Sequence, residues 1–267
     1  GGGVEWPRLG RIRFRGVTCR YEGGGGEAAL DGVNMQVEHG MCVGVCGRTG
    51  SGKSSLLLAL GRVLRCESGS IEIDGCDIAN LPLRRLRSGI AVIPQDPVQV
   101  AATVREAVDP LSVHPDAAIL DMLHRVGLGH GRAFLKTPLL EGGANLSVGQ
   151  RQLLCVARAL LSRKTILAFD ETWAHLDPAA AHTLRRILRL LRGRQTVLIV
   201  AHRLQDVAVC NHVMVMSEGR VAEQGTPLDL ITDPASAFSR LVGELDEDGR
   251  AAVMALAQEA AEAPDQV

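Results

Sequence analysis

Short apolar runs alternate along this chain with longer amphipathic stretches, and that alternation predicts its elements. Strands are expected at "IRFRGVTC", "MCVGVCG", "SIEID", "IAVIPQ", "TILAFD", "TVLIVAH" and "VMVMSEG". Helices are expected from Lys53, Pro115, Ser147, Pro178 and Thr226. Strands that alternate with helices imply an α/β fold whose sheet has a parallel core. Between Pro97 and Gly149 the strand pattern stops and the sequence becomes helical and turn-rich, which predicts a helical insertion into that core. "EGGGGE" at 22–27 has the composition of a flexible hairpin tip between two strands, and residues 1–9 that of a linker. The Ala/Glu-rich tail, residues 241–267, is weakly amphipathic and is expected to form a peripheral helix that frays.

Composition narrows the classes. A chain of 267 residues buries enough surface for one large domain or two modest ones. Its hydrophobic fraction is high at 46%, yet no apolar run approaches the ~20 residues needed to cross a bilayer. With 29 basic and 30 acidic side chains there is no general footprint for nucleic acid, so none is expected as a partner and phosphate chemistry must be local. Seven scattered cysteines, never spaced Cys-x-x-Cys, read as small buried hydrophobes in a reducing, cytosolic setting rather than as disulfides or metal ligands. The chain begins Gly-Gly-Gly with no initiating methionine or signal peptide, as a piece of a longer polypeptide would.

The chemistry concentrates in a few places. "GRTGSGKSS" comprises Gly47, Arg48, Thr49, Gly50, Ser51, Gly52, Lys53, Ser54 and Ser55, and fits G-x-x-x-x-G-K-[ST] between an expected strand and an expected helix. Glycines let backbone wrap closely around phosphates, and the N–H groups at a helix start point at them. Lys53, one of only three lysines, supplies a cation to the β- and γ-phosphates, and the Ser54 hydroxyl is placed to ligate Mg²⁺. In "TILAFDE", Asp170 ends an apolar strand as a Mg²⁺-binding acid would, and Glu171, projecting the other way, is placed to polarise an attacking water. The bland alternative is a pair of solvated acids at a strand end.

Four apolar runs end in Gly47, Gln95, Asp170 and His202. Ligands of open α/β sheets bind outside the carboxyl ends of the strands, so parallel pairing would gather all four at one site. Gln95 could then reach the metal or the water, and His202 the γ-phosphate. Tyr21, the only tyrosine, offers a ring for adenine to stack on, or else simply packs at an edge strand.

"NLSVGQRQLLCVARALL" (145–161) carries a resemblance: Leu-Ser-x-Gly-Gln before an Arg/Leu/Ala-rich helix resembles the signature of ATP-binding cassette proteins. With Tyr21, the P-loop, Gln95, Asp170–Glu171, Asp177 and His202, it follows the family order across residues 10–240. The resemblance implies a P-loop NTPase of cassette type: a mixed sheet with a parallel core, an antiparallel β subdomain and a helical subdomain over about 97–160. It implies ATP and Mg²⁺ as ligands. It also implies a head-to-tail pairing with a second cassette, in which Ser147, Gly149 and Gln150 serve the partner's ATP and Asp177 faces the partner. "GRIRFRGVTCRY", "GRTGSGKSSL", "VIPQDPV", "VREAVDP" and "IVAHRL" further resemble the second cassette of multidrug-resistance-associated (subfamily C) exporters, which implies a partner cassette on the same full-length chain, membrane domains contacted through the Gln95 loop and helical subdomain, and a place on the cytosolic face of a membrane. That reading makes Glu171 the acid of a hydrolysing site, while Val148 interrupts the signature of a weaker one.

Two departures stand out. Trp173 occupies a segment the family builds from small residues, where it either perturbs the partner interface or packs at its edge. "DPVQVAAT" lacks an aromatic that the subfamily often carries there, which bears on fit to the membrane domain. Two rival readings stay open: a regulatory nucleotide sensor that binds without needing to hydrolyse, and a soluble cassette ATPase of repair or translation. The stretch from Lys53 to Leu146 leaves no room for the long coiled coil of some of the latter.

Overall fold

The computed structural model describes residues 6–21, 26–95, 102–129, 131–173 and 176–262. The chain opens with β1 (Ile12–Cys19), β2 (Leu30–Val37) and β3 (Cys42–Cys46), followed by helix α1 (Lys53–Leu60). Next come β4 (Cys66–Ile73), the two-residue β5 (Cys76–Asp77), α2 (Leu83–Gly89) and β6 (Ile90–Ile93). The region expected to be a helical insertion contains α3 (Val104–Val108), α4 (Asp116–Arg125), α5 (Gly131–Leu135) and α6 (Val148–Leu161). The remainder alternates: β7 (Ile166–Asp170), α7 (Pro178–Leu191), β8 (Thr196–Val200), α8 (Leu204–Val207), β9 (His212–Ser217) and β10 (Arg220–Gly225), then α9 (Pro227–Thr232), α10 (Ala237–Gly243) and α11 (Glu247–Glu262). Among the described residues no helix is long and apolar enough to cross a membrane.

Two sheets form. One is antiparallel throughout, in the order β2-β1-β4-β5. The other runs β10-β9-β3-β8-β7-β6 and is parallel except for its antiparallel edge strand β10. The expected parallel core is therefore β6, β7, β8, β3 and β9, and these strands are apolar on both faces because the sheet is covered on both, except at Val92 of the edge strand β6, which is exposed. Val43, Val45, Ala168, Leu198, Val200 and Met214 point towards α1 and the antiparallel sheet. Their neighbours Cys42, Cys46, Leu167, Phe169, Val197, Ile199 and Val213 point the opposite way, into a second core with α4, α6, α7 and α8.

The strand expected after the hairpin tip is β2, whose bounds the pattern did not give, and β10 was not expected, both for identifiable reasons. In β2 the buried positions are Leu30, Val33, Met35 and Val37, and a register shift against β1 inserts a residue between the first two, so the period of two is broken at Gly32. β10 has no fully buried position, as an edge strand can. The "EGGGGE" expectation falls largely on residues 22–25, and "DPVQVAAT" largely on 96–101; both stretches lie outside the described residues, as do residues 1–5 of the expected linker.

Two further features differ from expectation. The tail forms α11, but not as a peripheral element: Val253 and Ala257 are fully buried. The buried Arg192 guanidinium donates to the Ala260 carbonyl at 3.0 Å and to that of Val209, and Arg189 pairs with Glu259. Five cysteines are buried as expected, but Cys66 is half-buried and Cys76 exposed.

Candidate functional site

The parallel ladder aligns the strand ends in register. Ile93 pairs with Phe169, Asp170 with Val200, and Val45 with Val200 on the other side. Gln95, Asp170, His202 and Gly47 each follow one of these residues by no more than two positions, so the fold brings them to one edge of the sheet.

At that edge the turn from β3 into α1 is made by Gly47, Gly50 and Gly52, all with positive φ (143°, 81° and 99°). A Cβ on Gly47 would lie 2.2 Å from the Met216 carbonyl oxygen, and one on Gly52 would lie 2.5 Å from that of Ala29. Glycine is required at both by close backbone approach as well as by conformation. The turn exposes Arg48 and Thr49; Arg48 reaches Glu244 at 2.9 Å. Ser51 is buried, and its Oγ has no hydrogen-bond partner among the described residues. Lys53 is buried as well, with Nζ donating to the carbonyls of Gly47 (3.0 Å) and Arg48 (3.1 Å). Burial pushes its pKa below the ordinary value, against the opposing pull of Glu171, Cys46 and Asp170. Beneath it the Cys46 thiol is pushed up to about 12 by burial and stays neutral.

The two carboxylates do different things. Asp170 accepts a hydrogen bond from Ser54 Oγ at 3.2 Å. Burial raises its pKa; Ser54 offsets part of this, while the charge of Glu171 adds to it. Glu171 turns the other way, its Oε1 lying 2.7 Å from His202 Nε2. Its backbone sits at φ 49°, in the left-handed region, and its N–H donates to the Val200 carbonyl at 2.8 Å. A non-glycine residue there is strained, and the β7–β8 ladder holds it in place.

Tyr21 is 51% exposed, and its hydroxyl lies 2.9 Å from Ser55 Oγ on α1. The ring is thus tethered beside the P-loop with a face open to solvent. Ser147, Gly149 and Gln150 lie elsewhere, along a separate cleft of about 270 Å³ that is also lined by Asp177. Asp177 caps α7, its Oδ1 accepting the Ala180 N–H at 2.8 Å. Trp173 is neither exposed nor at an edge: it is 1% exposed and packs in the core on the helical side of the large sheet.

Sequence reasoning passed over two residues that bind these groups together. Gln152, completely buried on α6, donates its side-chain N–H to the Gln95 carbonyl. Thr172 Oγ donates to the Ile93 carbonyl at 3.2 Å. The first had a signal: Gln152 shares a helical face with the buried Cys155, Val156 and Ala159, and an amide on a core stripe requires a partner.

The residues fit a magnesium nucleotide. The donors are hard oxygens, and the 3.2 Å between Ser54 Oγ and Asp170 Oδ1 is close to the ~3 Å separating neighbouring ligands of an octahedral ion with 2.0–2.1 Å bonds. A Ser51 hydroxyl without a partner among the described residues, and a lysine whose Nζ donates to two backbone carbonyls, suit an anion.

Comparisons with known proteins agree. The family model described as "ABC transporter" matches residues 30–174. Mouse ATP-binding cassette sub-family C member 10 is 40% identical over 242 residues, covering 90% of this chain, and Mycosarcoma maydis multidrug resistance protein fer6 is 39% identical over 237 residues, covering 89%. The chain spans only 16% and 18% of the lengths of these relatives. A solved bacterial Atm1-family ABC exporter with ATP bound superposes with a TM-score of 0.81 at 27% identity, over 88% of this chain and 42% of that one. The chain belongs to the ATP-binding cassette (ABC) transporter family, and its similarity runs to members of subfamily C.

Proposed function

We propose that this chain is the ATP-hydrolysing cassette of a subfamily C exporter, most like a second cassette, working at the cytosolic face of a membrane. The observation that carries the hydrolytic part is the division of labour between adjacent acids, with Asp170 turned to Ser54 and Glu171 to His202. Lys53, Ser51 and the glycine turn would cradle the phosphates, and Tyr21 would stack on the adenine. Mg²⁺ held by Ser54 and Asp170, with Gln95 at its edge, would neutralise phosphate charge. Glu171 would take the proton of the attacking water, and His202 would hold Glu171 and reach the γ-phosphate.

The signature cleft, with Ser147, Gly149, Gln150 and Asp177, would close over the nucleotide of a second cassette. The names of the relatives support transport as the purpose, and the resemblance to subfamily C implies organic anions or conjugates as cargo. Domain limits of 10–240 for the cassette and about 97–160 for its helical part go with this reading.

The test is Mg-ATP turnover by the chain across a wide range of protein concentration, with Glu171→Gln as the control. Turnover is expected to rise more steeply than linearly, and to fall by roughly 10²- to 10⁴-fold in the variant. A Glu171→Gln protein that turns over normally would remove Glu171 from the chemistry. ATP binding with no turnover, even after adding a first cassette, would favour the sensor.

A further inference from the structure

Two pairs of thiols in this chain are in contact, and they differ in access. Cys42 Sγ and Cys210 Sγ are 3.5 Å apart and fully buried. Cys19 Sγ and Cys66 Sγ are 3.4 Å apart, and Cys66 is half-buried. Cys19 and Cys66 are register partners across the antiparallel β1–β4 ladder. Directly opposed residues in such a ladder have Cα atoms ~4.5–5.5 Å apart. That lies within the roughly 4.4–6.8 Å that a disulfide spans. The ladder is irregular there, with register shifts beside Cys19 against both β2 and β4, so the sulfurs can close without breaking a regular run of backbone bonds. Two residues beyond Cys19 is Tyr21, tethered to Ser55 on α1.

We propose that Cys19 and Cys66 are an oxidant-responsive thiol pair, and that a disulfide between them weakens nucleotide binding by shifting the strand end that carries Tyr21. The first half stands on thiol geometry alone; the second rests on the proposed function.

The chemistry needs a two-electron oxidant of the peroxide class. Cys19 donates its S–H to Cys66, and this hydrogen bond holds the Cys66 thiol below its ordinary value, favouring the nucleophilic thiolate. The Cys66 sulfur attacks one peroxide oxygen, an S–O bond forms as the O–O bond breaks, and the departing hydroxide takes up the proton that the Cys66 thiol released and leaves as water. The Cys19 sulfur then attacks the sulfenic sulfur; the S–S bond forms, the S–O bond breaks, and the oxygen leaves as a second water carrying the Cys19 proton. Two thiols lose two electrons and the peroxide gains them. Cys42 and Cys210 provide an internal control: the same contact exists, but burial raises the Cys210 thiol and removes both thiolate and access.

The experiment treats the reduced, folded chain with hydrogen peroxide, blocks remaining thiols, maps the peptides without reductant, and measures ATP affinity before and after. The expected map links Cys19 to Cys66 while Cys42 and Cys210 stay free. The ATP Kd is expected to rise on the order of fivefold, at the low end of coupling between sites, and to recover with reductant. Cys66→Ser should bind ATP like the reduced wild type and be indifferent to peroxide. Linkage of Cys42 to Cys210 at a comparable rate, sulfinic acid without linkage, or a Cys19–Cys66 disulfide that leaves affinity unchanged would each overturn the proposal. A reduced chain that fails to bind ATP would sink the proposed function itself, and the peptide map would still report separately on the thiols.

Discussion

The starts of α1 and α6 both carry candidate phosphate ligands, and their backbones are satisfied in opposite ways. At α1 the N-cap is Gly52, in the left-handed region and without a side chain to cap the helix, and the adjacent Ser51 hydroxyl has no partner among the described residues. At α6 the cap is complete: Ser147 Oγ accepts the Gln150 N–H at 3.1 Å, and Gln150 Oε1 accepts the Ser147 N–H at 2.9 Å. Arg151 adds bonds to the carbonyls of Gly143 and Leu146. A helix end without its own cap leaves its donors for an anion; one closed by a capping box has its N-cap and N3 donors satisfied and contributes outward what remains, here the Ser147 O–H and the first-turn N–H groups of Val148 and Gly149. The two ends thus suit two roles, one binding nucleotide within a single chain and the other adding contacts when a partner brings its own.

Substitutions at either helix start separate the two roles. The largest effect is expected at α1: Lys53→Ala removes the cation from the glycine turn and should lower turnover on the order of 10²- to 10³-fold, read from kcat in the turnover assay above. A variant with full turnover would separate α1 from the phosphates.

A substitution away from both helix starts should change stability without changing nucleotide binding. Asp206 on α8 is 3% exposed, and burial raises its carboxyl from 3.8 to about 6, with Arg203 and Arg185 opposing. A raised carboxyl pKa gives stability that is present below about pH 4 and lost as pH rises through about 6. Asp206→Asn stays neutral and escapes that loss. Its advantage over wild type in denaturant unfolding should therefore be larger at pH 8 than at pH 4, by up to about 3 kcal/mol, with ATP affinity unchanged. An advantage that does not vary with pH would contradict this.

The smallest effect is at α6. Ser147→Ala should cost about 1 kcal/mol of stability by loss of the cap, with ATP affinity of the dilute chain intact. Weaker binding in the dilute variant would count against the division of roles.

Much of this could be read from the sequence because strong local signals coincide with the candidate site. The glycines of the P-loop turn, the apolar runs ending in Gln95, Asp170 and His202, and the N-caps Ser147, Asp177 and Thr226 all mark short-range geometry. What was not legible depends on long-range packing. β2 is recognisable only once paired with β1. Trp173 fits because the core on the helical side of the sheet accepts its ring, which no neighbouring residue announces. The pairing of His202 with Glu171 requires two strand ends that are distant in sequence but adjacent in the sheet. The tail is anchored by Arg192, whose role depends on carbonyls from two other segments.

The most direct test of the two-ended account is hydrogen–deuterium exchange of the dilute chain with and without Mg²⁺ and a non-hydrolysable ATP analogue. Slowed exchange is expected in peptides covering residues 47–60, and unchanged exchange in those covering 146–161, until the protein concentration is raised or a second cassette is added. Protection at 146–161 in the dilute chain, or none at 47–60, would contradict it.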